Sequence, residues 1–540
     1  MPPDSNATAT SRFSANLASA LLLAVAALWC VYWFVHAWHY WEDDAYIHLE
    51  FARSLAAGQG FAFNGHVVAG DTAPLWVFLL EAMYAVIPDW LLSGKILTIF
   101  GALFGLTGAY AFARKLAASL NLADAALFPA AMVLLIVANP YSCYWIFSGM
   151  EPFAAAGLAF FAVLAATREV PSTTSFLTAC LLAGIAPLMR PEMIFLTALL
   201  ALPLLAQGLR LPARLAALPA GLLLLCGPVA AWSLYSLHAF GHLLPNTNAA
   251  KRAAPTDSIV HRLVSIYSVG LPLIFCGLLA GLAYLALRPA SVRRSLQNAL
   301  ASTFQRAPKP ASPGTLPLAG WIFLLWAAIA TVFYIVNHTF VQTRYILVTA
   351  PALTIIVVAL FLAASQRTGR VVYIAALVAA LAISIVTVRP FIRNKGINCQ
   401  ITDSFALFLR DHLPPDAPVA VYAIGQISFV SQHPIVDTGG ITQPGVIPYI
   451  YSDPGLRTRW ARSVGAQYEI MDHQPEPGAV AVYSGNLPFV GWTFHTARYA
   501  TSSPNELWKY APSPLPSASP NSMTSADGHT SNLEPRTPNP

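Results

Sequence analysis

The chain of 540 residues is 56% hydrophobic and only 10% charged, with a mean hydropathy of +0.58. Soluble proteins carry roughly 25% charged residues, so a soluble enzyme is excluded and a polytopic membrane protein is expected. The net charge of +6 comes from bases scattered among short loops; with no basic patch interleaved with aromatics, nucleic acid is excluded as a partner.

A tail of residues 1–14, with the single base Arg12, precedes the first apolar run at about 15–38. No small-residue cleavage site follows that run, so it reads as a retained span rather than a signal peptide. Directly after it comes a burst of acids, Trp41–Glu50 (WEDDAYIHLE), then a helical stretch to Ala57 and the turn Gly58-Gln59-Gly60. The segment Phe61–Pro74 carries Asp71, and residues 74–88 form a short apolar helix containing Glu81. Further runs long enough to cross a bilayer lie at about 95–114, 123–140, 152–167, 174–189, 193–208, 214–235, 265–287, 317–337, 345–365 and 371–388.

Orientation decides the role of residues 74–88. If that helix stays in the outer interface, the loops at 114–124, 168–173, 209–214, 288–316 and 366–370 share one side. They hold twelve Lys and Arg against two acids, Asp124 and Glu169. The positive-inside rule then gives eleven spans, a cytoplasmic N-terminus and an external C-terminus. The first external loop, residues 39–93, holds seven acids and one Arg. The same topology collects five polar islands on the outer face: Trp41–Asp71, Asn139–Glu151, Arg190-Pro191-Glu192, His238–Arg252 and Asn337–Tyr345.

From about Arg389 the composition turns soluble. Asp403–His412 reads as an amphipathic helix. Short β-type runs follow at Val419–Ile424, Phe429–Val430, Pro434–Val436, Ala479–Tyr483 and Trp492–Tyr499. The expected fold class is mainly α, about eleven transmembrane helices over residues 15–388, with a small extracytoplasmic α/β domain over 389–510. Residues 511–540, rich in Pro and Ser, are expected to be disordered. The six cysteines show no metal spacing and suit apolar packing. A disulfide between Cys143 and Cys399, the two that could lie outside the membrane, is one expectation.

Glu42-Asp43-Asp44 supports two readings. Asp43 or Asp44 could cap the helix Ala45–Ala57. Alternatively one is a general base that takes a proton from an attacking hydroxyl, with Asp43 favoured. The other, Asp44, would then support it or hold a divalent cation (Mg, Mn or Ca) against a phosphate. Arg190 and Glu192 could pair with each other or bind a ligand. Arg344 suits a lipid phosphate or simple snorkelling to the interface, and Lys251 and Arg252 read the same way. His238, His242 and His338 are not at metal spacing. Glu151, in Ser148-Gly149-Met150-Glu151-Pro152, is by itself an ordinary helix start. The chain carries no Walker loop, no dinucleotide fingerprint and no Gly-x-Ser-x-Gly.

Taken in order, these segments resemble the GT-C superfamily of integral-membrane glycosyltransferases. The likeness is to the group that includes the terminal β-(1→2)-arabinofuranosyltransferase of mycobacterial-type cell walls. The residues that carry it are Asp43–Arg53, Gly58–Asn64, Ala69–Trp76, Ser148–Glu151, Arg190–Glu192, Leu244–Thr247 with Lys251, Arg344-Tyr345 and Asp437–Ile441. The resemblance implies a GT-C-like fold, catalysis by the aspartates of the first external loop (Asp43 and Asp44), and a polyprenyl-phosphate sugar as donor. It further implies transfer at the outer face of a bacterial cytoplasmic membrane, to an envelope glycan, glycolipid or glycoprotein, with membrane lipid as surroundings. On that reading Arg344, Lys251 and Arg190 bind phosphate, Glu151 and Glu192 position sugar hydroxyls or these cations, and Asp71 and His48 contact substrate. Two departures, Glu50 for a usual Arg and Asp71 for a Glu-Gly-Tyr segment, fall where a pocket could be lined. The alternatives are a transporter or flippase of a lipid-linked sugar, or a non-catalytic envelope-assembly subunit. Charges at span edges and the lack of a repeat speak against transport.

Overall fold

The computed structural model describes residues 5–122, 125–253, 316–337, 343–363, 402–451, 454–471, 474–485 and 505–511, with single positions between 378 and 399. The helices run in chain order as α1 (Ser5–His36), α2 (Asp43–Ala56), α3 (Pro74–Val86), α4 (Trp90–Ser119), α5 (Phe128–Ala138), α6 (Pro140–Ile146), α7 (Pro152–Ala166), α8 (Thr173–Met189), α9 (Met193–Arg210), α10 (Arg214–Phe240) and α11 (Asn246–Arg252). Beyond them lie helices Leu318–Val336, Thr343–Leu347 and Ala350–Ala363. Among the described residues five helices are long and apolar enough to cross a membrane: Ser14–His36, α4, α9, α10 and Leu318–Val336. Nine of the eleven expected spans coincide with helices; the run at 265–287 and most of 371–388 lie outside the described residues.

Small residues set how closely these helices approach. α4 packs on α7 through Gly101, Gly105 and Gly108; a Cβ on Gly105 would lie 2.4 Å from the Phe153 carbonyl oxygen. Between lipid-embedded helices such contacts matter because burial from water supplies no drive there. α1 and α10 leave long apolar side chains open, among them Leu21, Leu28, Leu222 and Leu223, which suits a lipid-facing surface.

At one end of the bundle sits the first loop. Its helix α2 is buried on most of its length, and a two-stranded hairpin, β1 (Ala62–Phe63) with β2 (His66–Val67), follows it. α3 lies beside α2 as a 13-residue helix too short to span a bilayer unaided.

The C-terminal part is a five-stranded mixed sheet of order β4-β3-β5-β7-β6. β3 (Val419–Val421) pairs in parallel with β4 (Ile435–Asp437) and with β5 (Tyr468–Met471), while β7 (Asn505–Lys509) joins β5 to β6 (Val480–Gly485) antiparallel. The helix expected at Asp403–His412 is present over 402–412. Phe429–Val430, expected as strand, instead lies in the helix Ile424–Ser431. A two-residue apolar run has no period, so its neighbours decide its class. The run Trp492–Tyr499 and the tail beyond 511 lie outside the described residues. Cys143 and Cys399 are free thiols rather than a disulfide. Cys143 donates to the Val137 carbonyl, and Cys399 exchanges hydrogen bonds with the Trp41 backbone.

Candidate active site

The first turn of α2 is held from three sides. Glu42 N–H donates to the Ser148 carbonyl at 3.0 Å, and the Glu42 carboxylate accepts from the hydroxyls of Tyr40 and Tyr144. Lys95, buried near the start of α4, donates to the carbonyls of Tyr40 and Phe147 and lies 4.4 Å from the Trp41 ring. The N-cap of α2 is Glu42, and its side chain makes no capping bond. Neither Asp43 nor Asp44 caps its own helix: both are first-turn residues whose carboxylates point elsewhere, which corrects the capping expectation.

They point to different places. Asp43 accepts from the backbone N–H of Gly425 at 3.1 Å and of Gln426 at 2.9 Å, both in the C-terminal domain. Burial pushes its carboxyl up to about 7, against the pull of these two bonds. Asp44 pairs with Arg344, 300 residues away, and its side chain keeps 33% of its surface exposed. Burial disfavours the Asp44 charge, but Arg344 and Lys251 outweigh it and hold the group below its ordinary value.

Asp44 lies in a cleft that is also lined by His48, Asp71, Glu151, Arg190, Lys251 and Arg344. Side chains from six separated chain segments thus converge on one cleft. His48 Nδ1 bonds Asp71 at 2.5 Å, and its Nε2 stands 3.4 Å from Glu151, a charge contact rather than a hydrogen bond. Burial lowers the His48 value, yet Asp71 and then Glu151 raise it to about 10, so the imidazole is a cation at neutral pH. Glu151 also accepts from Arg190 at 2.5 Å. Although burial opposes its charge, His48 and Arg190 pull Glu151 down to about 2. Arg190 completes a fork by donating to Glu192 at 2.5 Å.

Two expected residues stand apart from the cleft surface. Asp43 faces the domain contact, and Glu192 lies behind Arg190 as its counter-ion. Glu50 pairs with Arg53 and is also absent from the lining, so of the two departures Asp71 alone bears on the cleft. Among the lining residues given no role from the sequence is Tyr345. Its ring lies 5.1 Å from Arg190, 4.9 Å from Lys251 and 5.4 Å from Arg344, and its hydroxyl accepts from Lys251. A tyrosine following an interfacial arginine carries no sequence signal for that place. Three buried polar atoms of the cleft, Arg344 Nη1, His48 Nε2 and Glu151 Oε2, have no hydrogen-bond partner among the described residues. Such an atom costs about 1–3 kcal/mol unless a ligand or water satisfies it, and for His48 Nε2 and Glu151 Oε2 their ion pair at 3.4 Å offsets part of that.

Asp44, the residue expected to hold a metal, has two cations beside it rather than further carboxylates. Among the described residues no three His, Cys, Asp or Glu side chains gather as a metal-binding group. The neighbours of Asp44 are the cations Arg344 and Lys251, which repel a divalent ion and can themselves neutralise a phosphate.

Residues 391–513 match the family described as a domain of unknown function (DUF8728). No curated protein matches the chain. Among solved structures the chain is similar to ArnT from Cupriavidus metallidurans in the apo state, at 14% identity and a TM-score of 0.53, over 91% of this chain and 98% of that one. ArnT bound to undecaprenyl phosphate matches at 14% identity and a TM-score of 0.50, over 77% of this chain and 85% of that one. An oligosaccharyltransferase from Archaeoglobus fulgidus, in complex with Zn and sulfate, matches over 83% of this chain and 67% of that one at 11% identity and a TM-score of 0.39. The likeness to ArnT concerns the fold alone, mainly α with a C-terminal α/β part.

Proposed function

We propose that the chain is a membrane glycosyltransferase that moves one sugar, a pentose such as arabinofuranose or a hexose, from a polyprenyl-phosphate donor to a glycan, glycolipid or glycoprotein. The observation that carries this reading is the cleft in which a part-exposed carboxylate, Asp44, is held against a cluster of three cations around Tyr345. ArnT, whose fold this chain shares, has been solved with undecaprenyl phosphate bound, which supports a lipid monophosphate as the donor's carrier. The asymmetry of the basic loops supports an outward-facing cleft in a bacterial cytoplasmic membrane.

On this reading Asp44 is the base and Arg344 the principal phosphate ligand. With His48 charged, the cations His48, Arg190, Lys251 and Arg344 balance the carboxylates Asp44, Asp71, Glu151 and Glu192. A donor phosphate adds negative charge and draws Arg344 toward itself, freeing Asp44. The acceptor hydroxyl then attacks the anomeric carbon from the face opposite the phosphate. A new C–O bond forms, the bond to phosphate breaks with its electron pair leaving on phosphate oxygen, and the hydroxyl proton passes to Asp44. The configuration inverts. Lys251 and Arg344 stabilise the leaving monophosphate, a poorer leaving group than a diphosphate. Arg190 acts behind them, locked by Glu151 and Glu192.

The test is direct. Purified protein is incubated with a polyprenyl-phosphate sugar and an acceptor extract, and release of polyprenyl phosphate is followed together with labelled product. Release that depends on acceptor and on Asp44 supports an enzyme; intact donor throughout sinks the reading and leaves a binding or transport role.

A further inference from the structure

The C-terminal domain reaches the cleft from both sides. On one side Gly425 and Gln426, in the first turn of the helix Ile424–Ser431, donate to both carboxylate oxygens of Asp43. The same helix donates from Ser428 Oγ to Asn64 Oδ1 at 2.9 Å and accepts at the Phe429 carbonyl from Arg53 at 3.1 Å. The approach is backbone against backbone, since a Cβ on Gly425 would stand 2.0 Å from the Asp43 carbonyl oxygen. On the other side Val446 and Ile450 form a buried cluster with Ala250 of α11, the helix that carries Lys251. Between these contacts Ile441 lines the cleft itself.

The loop bearing Ile441 is stiff. The Asp437 carboxylate accepts from the N–H groups of Gly439 at 2.7 Å, Gly440 at 3.1 Å and Thr442 at 2.6 Å, and from the Thr442 hydroxyl at 3.0 Å. A loop with three of its amides held by one buried carboxylate, and a fourth, that of Thr438, by the Val421 carbonyl, has little freedom to swing as a lid.

We propose that this domain of unknown function is a fixed wall of the catalytic cleft. Through Asp43 it sets the first turn of α2, and with it Asp44, against α11 and Lys251; through Ile441 it keeps water from the reacting carbon. Asp43 is a positioning residue in this scheme. The proposal rests on the reading of the cleft as a glycosyl-transfer site, but its first test does not.

Hydrogen exchange on the full chain in detergent compares wild type with Gly425→Ala. Exchange is expected to rise about tenfold in both 43–56 and 246–252, as for a local opening that joins the two segments. Unchanged exchange in either segment overturns the wall, whatever the protein's activity. In the transfer assay Gly425→Ala is expected to lose about 100-fold in kcat, the scale of a misplacement near 1 Å. Ile441→Ala is expected to raise the share of donor hydrolysed rather than transferred by about fivefold or more, a partition that mere loss of folded protein does not move. An unchanged partition removes the role of Ile441. Finally, an Asn64→Cys, Ser428→Cys pair oxidised to a disulfide is expected to keep transfer within about twofold of its reduced form, because a crosslink between side chains already in contact moves nothing in a fixed wall. Loss on oxidation that reductant restores means the domain must leave during turnover, and a fixed wall is then wrong. A wild type that never transfers from polyprenyl phosphate sinks the functional reading alone, and the exchange result still decides the wall.

Discussion

The cleft and the domain contact meet on two successive residues of α2, and they are built in opposite ways. In the cleft, carboxylates face side-chain cations: Asp44 meets Arg344, Glu151 meets Arg190 and His48, and Asp71 meets His48. At the domain contact, Asp43 faces two backbone amides, as Asp437 does within the loop beside it. A guanidinium on a long side chain can be redirected by an incoming phosphate, and its former partner is released for chemistry. An amide belonging to a helix turn cannot move without the helix. Pairing with a side-chain cation at a part-exposed position, as at Asp44, therefore leaves that carboxylate open to the cleft, while pairing with amides makes it part of the frame.

That contrast can be broken. Asp44→Asn is expected to reduce transfer by about 1,000-fold, within the range for loss of a general base, with membrane insertion intact. Asp43→Asn keeps an oxygen acceptor for one of the two amides and is expected to lose only about tenfold. Equal losses in the two variants, measured as polyprenyl phosphate released per minute, would erase the distinction between them.

Arg344→Lys probes the mobile side of the comparison. A lysine keeps charge but not the planar fork, and about a 100-fold loss with a raised KM for donor is expected. The same variant tests the protonation of Asp44. Its carboxyl is held below the ordinary range by Arg344 and Lys251, so the acid limb of kcat/KM should lie below that range in wild type and move up in Arg344→Lys. An acid limb that does not move argues against Asp44 as the titrating base.

His48 supplies a pH test on stability. Its value rises from 6.5 to about 10 in the fold. A raised cation stabilises fully below the unfolded value and loses that contribution as pH climbs through the folded one. The melting temperature in detergent should therefore fall between pH 6.5 and about 10, and His48→Gln should flatten that slope. A last stability effect is expected at Arg53, which is paired with the buried Glu50 and donates to Phe429. Arg53→Ala leaves the Glu50 carboxylate buried without its cation and should cost about 3 kcal/mol, read as a downward shift in the unfolding midpoint.

Much of the bundle was legible because its signals are local. Apolar runs of span length, the short helix after Asp71 and the acids of the first loop are all visible in a window of some twenty residues. The site was legible in part. Seven of the nine site residues named from the sequence, Asp44, His48, Asp71, Glu151, Arg190, Lys251 and Arg344, line one cleft. Tyr345 was missed, since its role comes from three cations of distant origin rather than from its neighbours in the chain. The helix Ile424–Ser431 was misread in part because IGQISFVS supports strand as readily as helix until tertiary packing decides.

What the amino-acid sequence by itself determined was the membrane-spanning helical class and the concentration of acids at Glu42-Asp43-Asp44. Which partners each aspartate meets was decided by tertiary structure alone. Successive residues on a helix point about 100° apart, so two identical side chains in one turn look toward different surroundings. One looks toward Arg344 and the cleft, the other toward Gly425 and Gln426. Composition cannot tell the two apart, because the partners that separate them lie 300 and more residues along the chain.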